Sequence, residues 1–84
     1  MLYDWIYQTN ISNAEYRMFT EASQNVGCCL RPIAIARQNL SRYRFMCISS
    51  ADSNAPAHFL IIEVYNPREG PAYVTQRLPL NIDI

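Results

Sequence analysis

The chain has 84 residues, no net charge, and 17% charged residues, where ordinary domains carry about 25%. That length fits one domain, residues 1–84, with a small core. The 50% apolar content excludes disorder, and the charge balance excludes a bulk electrostatic attraction to nucleic acid or anionic lipid. All seven basic residues are arginine; there is no lysine. Arginine favours planar, bidentate contacts and interfaces, although codon bias accounts for its exclusive use more simply. Three cysteines, two of them adjacent (Cys28, Cys29 and Cys47), are not a disulfide framework. The opening MLYDWIYQTN lacks the features of a secretion signal. These two observations lead us to expect an intracellular, cytoplasmic protein with reduced thiols. No apolar run reaches the roughly 20 residues of a membrane span.

Leu2 to Tyr7 alternates, with Tyr3, Trp5 and Tyr7 on one side, and predicts a short strand. Ser12 followed by Glu15 is a capping box, with Ile11 and Tyr16 placed for a hydrophobic staple. It predicts a helix from Asn13 to about Asn25. Ala14, Met18, Ala22 and Val26, with Phe19 beside them, form its buried stripe. Arg17 and Glu21 form an i,i+4 pair on its wet side, and Gly27 is its C-cap.

Cys28 to Arg37 reads as a strand with Ile33 and Ile35 on one face and Ala34 and Ala36 on the other. Pro32 has no N–H, so the strand is at an edge or starts near Ile33. Gln38 to Ser41 is a turn and Arg42 to Ser50 the return strand. There Tyr43, Phe45 and Cys47 share one face, and Arg42, Arg44, Met46 and Ile48 the other. After a loop, ADSNAPA, comes HFLIIEVY, His58 to Tyr65, the most apolar stretch. Both of its faces are apolar, so it is an interior strand with cover on each side. Asn66 to Pro71 is a turn, and Ala72 to Leu78 is a last strand ended by Pro79. The expected fold is a two-layer α+β domain, in the order β-α-β-β-β-β. One helix packs on an antiparallel sheet of four or five strands.

No catalytic set emerges, and no cofactor is expected. Cys28, Cys29, Cys47 and His58 nominally make a zinc set. Adjacent cysteines in extended chain point opposite ways, however, and the C-x₂₋₄-C spacing is missing, so no metal site is expected. A cysteine–histidine nucleophile lacks an orienting third group. Glu63, alone in an apolar run, is best satisfied by an arginine on a neighbouring strand. Two glycines cannot build a phosphate-cradling loop.

One feature stands above background. No acid lies between Glu21 and Asp52, while Arg31, Arg37, Arg42 and Arg44 do, with Tyr43 and Phe45 interleaved. This arginine hairpin suits an acidic protein patch. The expected function is a non-enzymatic protein-binding module, an inhibitor or adaptor that occupies a partner's surface through these six residues. Phage- or plasmid-encoded inhibitors of host defence fit that profile. The alternative is a nucleic-acid-binding module using the same hairpin, segment 31–44. A single helix covers only one face of the sheet. Phe59, Ile61, Glu63 and Tyr65, on the odd face of the central strand, are therefore expected to be covered by the N-terminal aromatics, by sheet curvature, or by a symmetry mate in a homodimer.

Overall fold

The structure is a computed structural model that describes residues 5–25, 30–39, 41–49 and 58–79. In chain order it contains β1 (Tyr7–Gln8), α1 (Asn13–Ala22) running into a 3₁₀ turn (Ser23–Asn25), β2 (Leu30–Arg37), β3 (Arg42–Ser49), β4 (His58–Tyr65) and β5 (Tyr73–Pro79). The five strands form one antiparallel sheet whose spatial order is the chain order, β1-β2-β3-β4-β5. Among the described residues no helix separates β2 to β5 from one another, whereas α1 lies between β1 and β2, which nevertheless pair antiparallel. This is the expected α+β architecture, with one helix on a five-stranded antiparallel sheet.

The capping box forms as read. Glu15 N–H donates to Ser12 Oγ at 3.1 Å, and Ser12 N–H donates to Glu15 Oε1 at 2.9 Å. Glu15 also receives Arg37 of β2. Nε donates to Oε2 at 2.6 Å and Nη2 to Oε1 at 2.8 Å. Arg37 donates further to Gln8 Oε1 at 2.7 Å and to Asn10 O at 3.1 Å. One guanidinium thus ties the helix N-terminus to the first two strands. It holds the Glu15 carboxyl well below its ordinary range, at about 2.

Met18, Phe19 and Ala22 are the buried residues of α1. Ala14 is exposed, contrary to the expected stripe. The first turn meets Arg37 of β2 through Glu15. Glu21 does not pair with Arg17. Its carboxylate accepts the Ala72 N–H at 3.0 Å and fixes the chain entering β5. Val26, Gly27, Cys28 and Cys29 lie outside the described residues.

Under the helix, Phe19 and Phe45 stack at a tilt with ring centroids 4.9 Å apart. Ile35, Phe45, Cys47, Ile62 and Val64 are fully buried around them, with Ala72 at the edge. The register explains this set. Phe45 lies opposite Ile35 on one side and Ile62 on the other, and Cys47 opposite Leu60. These positions therefore point to one face.

Two irregularities correct the alternation expected from sequence. Between Pro32 and Ala34 the β2–β3 register slips by one, leaving Ile33 as the extra residue of a bulge. Ile35 consequently faces the helix together with Pro32, not with Ile33. A second slip occurs opposite Glu63 and Val64, and there Thr75 is the extra residue of β5. Pro32 is accommodated because β1 reaches only Ile35 and Ala36. The last turn uses Gly70 at φ 94°, a left-handed conformation that glycine adopts without a Cβ clash.

Candidate protein-binding face

The helix lies on one side of the sheet. Among the described residues, no helix covers the other. Rows across that open face follow from the register. At one end Arg31, Ile48 and Phe59 stand side by side; next come Ala34, Met46, Ile61 and Leu78. The third row is Tyr7, Ala36, Arg44, Glu63 and Gln76, and the fourth is Arg42, Tyr65 and Tyr73. Ile48, Phe59, Met46, Ile61 and Leu78 are half-buried, and none of them joins the core under the helix. Tyr65 and Tyr73 pack together at 5.6 Å, and Tyr73 is half exposed at 51%.

The third row holds a polar network. Glu63, only 4% exposed, accepts Arg44 Nε at 3.0 Å and the Thr75 hydroxyl at 2.8 Å. Arg44 lies 4.5 Å from the centroid of the Trp5 ring, within cation–π range. Tyr7 sits beside Arg44; burial raises its pKa and the guanidinium partly offsets that rise. Glu63 therefore has the cross-strand arginine expected of it. The bulge at Thr75 supplies a second hydrogen-bond donor that alternation alone does not reveal. Among the described residues no buried side-chain oxygen or nitrogen lacks a partner. Trp5 and Tyr7 cover part of this end of the face, as the aromatic row suggested; Tyr3 lies outside the described residues.

The structure divides the residues named from sequence. Phe59, Ile61, Glu63 and Tyr65 all stand on the open face. Of the hairpin set, Arg31, Arg42 and Arg44 are on it too. Phe45 is not available as a contact residue, because it is fully buried beneath the helix. Tyr43 packs at the margin of that same core, and Arg37 is engaged by Glu15, Gln8 and Asn10. The hairpin is thus not one arginine–aromatic surface. The Arg42 side and the Phe45 side of β3 face opposite ways, and the helix takes the second. Met46, Ile48 and Leu78 stand on the open face as well. Their signal was present in the alternation of β3 and β5 but acquires meaning only once the helix is assigned a side.

Among the described residues the remaining candidates form no reactive arrangement, and Cys28 and Cys29 lie outside them. Cys47 is fully buried and donates to Phe45 O at 3.6 Å; burial pushes its thiol up to about 12, which disfavours the nucleophilic thiolate. His58 is exposed at the end of β4. Among the described residues no three metal-ligating side chains cluster. A shallow cleft of about 300 Å³ between α1 and β2 is lined by Tyr16, Phe19, Thr20, Ser23, Gln24, Leu30 and Pro32. It holds no acid, histidine or cysteine.

Comparison with protein-family models, with curated proteins and with solved structures returned no match. Among the described residues no helix is long and apolar enough to cross a membrane.

Proposed function

We propose that the chain is a non-enzymatic protein-binding module that acts by placing its open sheet face against another protein, as an inhibitor or adaptor does. The observation that carries this reading is the inequality of the two sheet faces. One has a helix and a closed core. The other presents Met46, Ile48, Phe59, Ile61 and Leu78 in adjoining rows, next to a satisfied Arg44–Glu63 pair. From strand spacing and rise, β2 to β5 make a face of roughly 500 Å². Doubled across an interface this reaches the roughly 1,000 Å² expected of a specific contact. One aliphatic row, with aromatic and arginine residues in the rows around it, also resembles the composition of an interface centre.

Self-association is a second reading, because Phe59, Ile61, Glu63 and Tyr65 share this face and a two-fold axis would pair it with itself. Nucleic acid is disfavoured. Arg37 and Arg44 are engaged by carboxylates, so the hairpin offers few cations for phosphates. The test is affinity capture from the source cell with the wild-type protein and with Ile61→Arg. A partner retained by the first and lost by the second, and insensitive to moderate salt, supports the reading. Equal capture by both, or capture of nucleic acid that weakens steeply with salt, contradicts it.

A further inference from the structure

From the arrangement of charge on the open face we infer that its occupant is an acidic amphipathic helix of another protein, apolar at its centre and carrying carboxylates near both ends. The inference rests on the binding role proposed above and names the partner for it.

Consider first which charges on the face are satisfied. Glu63 has Arg44 and Thr75. Arg31 and Arg42 are exposed, and neither has an ion-pair partner among the described residues. They stand at opposite ends of the face. Arg31 is opposite Ile48 in the first row, and Arg42 is opposite Tyr65 in the last. From Ile48 back to Arg42 along β3 is roughly 20 Å at the rise of a strand. Between them lie the apolar row of Met46, Ile61 and Leu78 and the row of the Arg44–Glu63 pair, over which Trp5 packs. The pattern is a cation, an apolar row, a satisfied ion pair under an aromatic ring, and a cation.

This pattern is not self-complementary. An isologous contact brings a face against its own copy. Among the described residues of the face, that copy would bring two more arginines without an ion-pair partner and only one carboxylate, Glu63, which Arg44 already holds. Among the described acids, Glu15 is held by Arg37, Glu21 by the Ala72 amide and Glu63 by Arg44. Glu69 lies on the turn beyond the end of β4, next to Arg68. Like charges brought together across an interface are penalised, and complementary charges set partner choice. The charge layout therefore selects an acidic partner over a second copy.

A helix is the occupant that suits this pattern. It satisfies its own backbone hydrogen bonds and needs no strand edge. The other face of this sheet is already closed by a helix, α1, whose apolar side supplies Met18, Phe19 and Ala22. A second helix on the open face completes a three-layer arrangement. Spanning roughly 20 Å takes about 13 residues of helix, which puts the two acidic positions three to four turns apart.

A displayed library of amphipathic helical peptides tests this. Its apolar stripe is fixed, and Glu, Gln or Lys is allowed at the flanking positions. The library is selected in parallel on the wild-type protein and on the Arg31→Glu/Arg42→Glu variant, whose fold is checked by circular dichroism. The expected result is at least about tenfold enrichment of Glu over Lys at both flanks on wild type, and the reverse preference on the variant; tenfold corresponds to about 1.4 kcal/mol. Binding without a charge preference, or with the same preference on both proteins, overturns the acidic helix while leaving the face as a binding site. No enrichment on either protein overturns both. A wild-type dimer by light scattering that Ile61→Arg converts to monomer overturns the inference in favour of self-association.

Discussion

Ile61 and Ile62 are neighbours in β4, yet they belong to different parts of the molecule. Ile62 is fully buried beside Phe45 in the core under the helix. Ile61 lies between Met46 and Leu78 on the side the helix leaves open. The two faces have similar hydrophobicity, so hydrophobicity alone does not say which is core. The helix decides it. It brings Met18, Phe19 and Ala22 to one face, and its N-terminus is tied to the sheet by Arg37 and Glu15. The difference teaches that apolar surface in a small α+β domain can serve stability on one side and, on the function proposed above, recognition on the other.

The largest effect that sharpens this contrast comes from truncating the neighbours. Ile62→Ala is expected to cost about 2–5 kcal/mol through lost burial and a cavity. Ile61→Ala is expected to cost about 1 kcal/mol, since its surroundings can relax toward solvent. Urea denaturation measures both; equal losses would mean that the two faces are equally closed. Next is the buried ion pair of the open face. Arg44→Ala leaves Glu63 buried without its cation and is expected to cost about 3 kcal/mol. Arg31→Ala, on the same face but without an ion-pair partner among the described residues, should stay within about 0.5 kcal/mol of wild type. A harmless Arg44→Ala would show that Glu63 is satisfied without its partner.

Smaller effects probe how the helix is held to its own face. Ser12→Ala removes the side-chain acceptor of the capping box and should cost about 1 kcal/mol, read from the urea midpoint. The Glu15 carboxyl has a folded pKa of about 2, below its unfolded value of about 4.3. A depressed carboxylate contributes stability that is present above the unfolded pKa and is lost as pH falls through the folded one. Wild-type stability should therefore decline between about pH 5 and pH 2, and Glu15→Gln should flatten that decline. Parallel urea titrations at a series of pH values check it. Unchanged slopes would remove the Arg37–Glu15 link from the account.

Much of the fold was legible because the signals were local. The Ser12–Glu15 box, the turn at Asn66 to Pro71 and the run from His58 to Tyr65 each fix a boundary within a few residues. The bulges were not legible. An extra residue at Ile33 or Thr75 changes which side chains share a face, and nothing in the alternation of β2 or β5 announces it. The candidate site was half legible for the same reason. Phe59, Ile61, Glu63 and Tyr65 could be grouped by parity. Arg44 and Phe45 could not be separated into face and core until the position of the helix was known. Glu21 shows the limit of helix-periodic reasoning. Its spacing to Arg17 suggested a surface pair, but the amide of Ala72, 51 positions along the chain, takes it.

The most direct measurement replaces each of the two isoleucines by arginine and follows thermal unfolding by circular dichroism. Ile61→Arg places a charge on the open face, where its long side chain can reach water. It should fold with a Tm near that of wild type. Ile62→Arg buries the same charge beneath the helix without a partner and should not fold. If Ile61→Arg unfolds as completely as Ile62→Arg, the face is closed core and cannot be the binding surface.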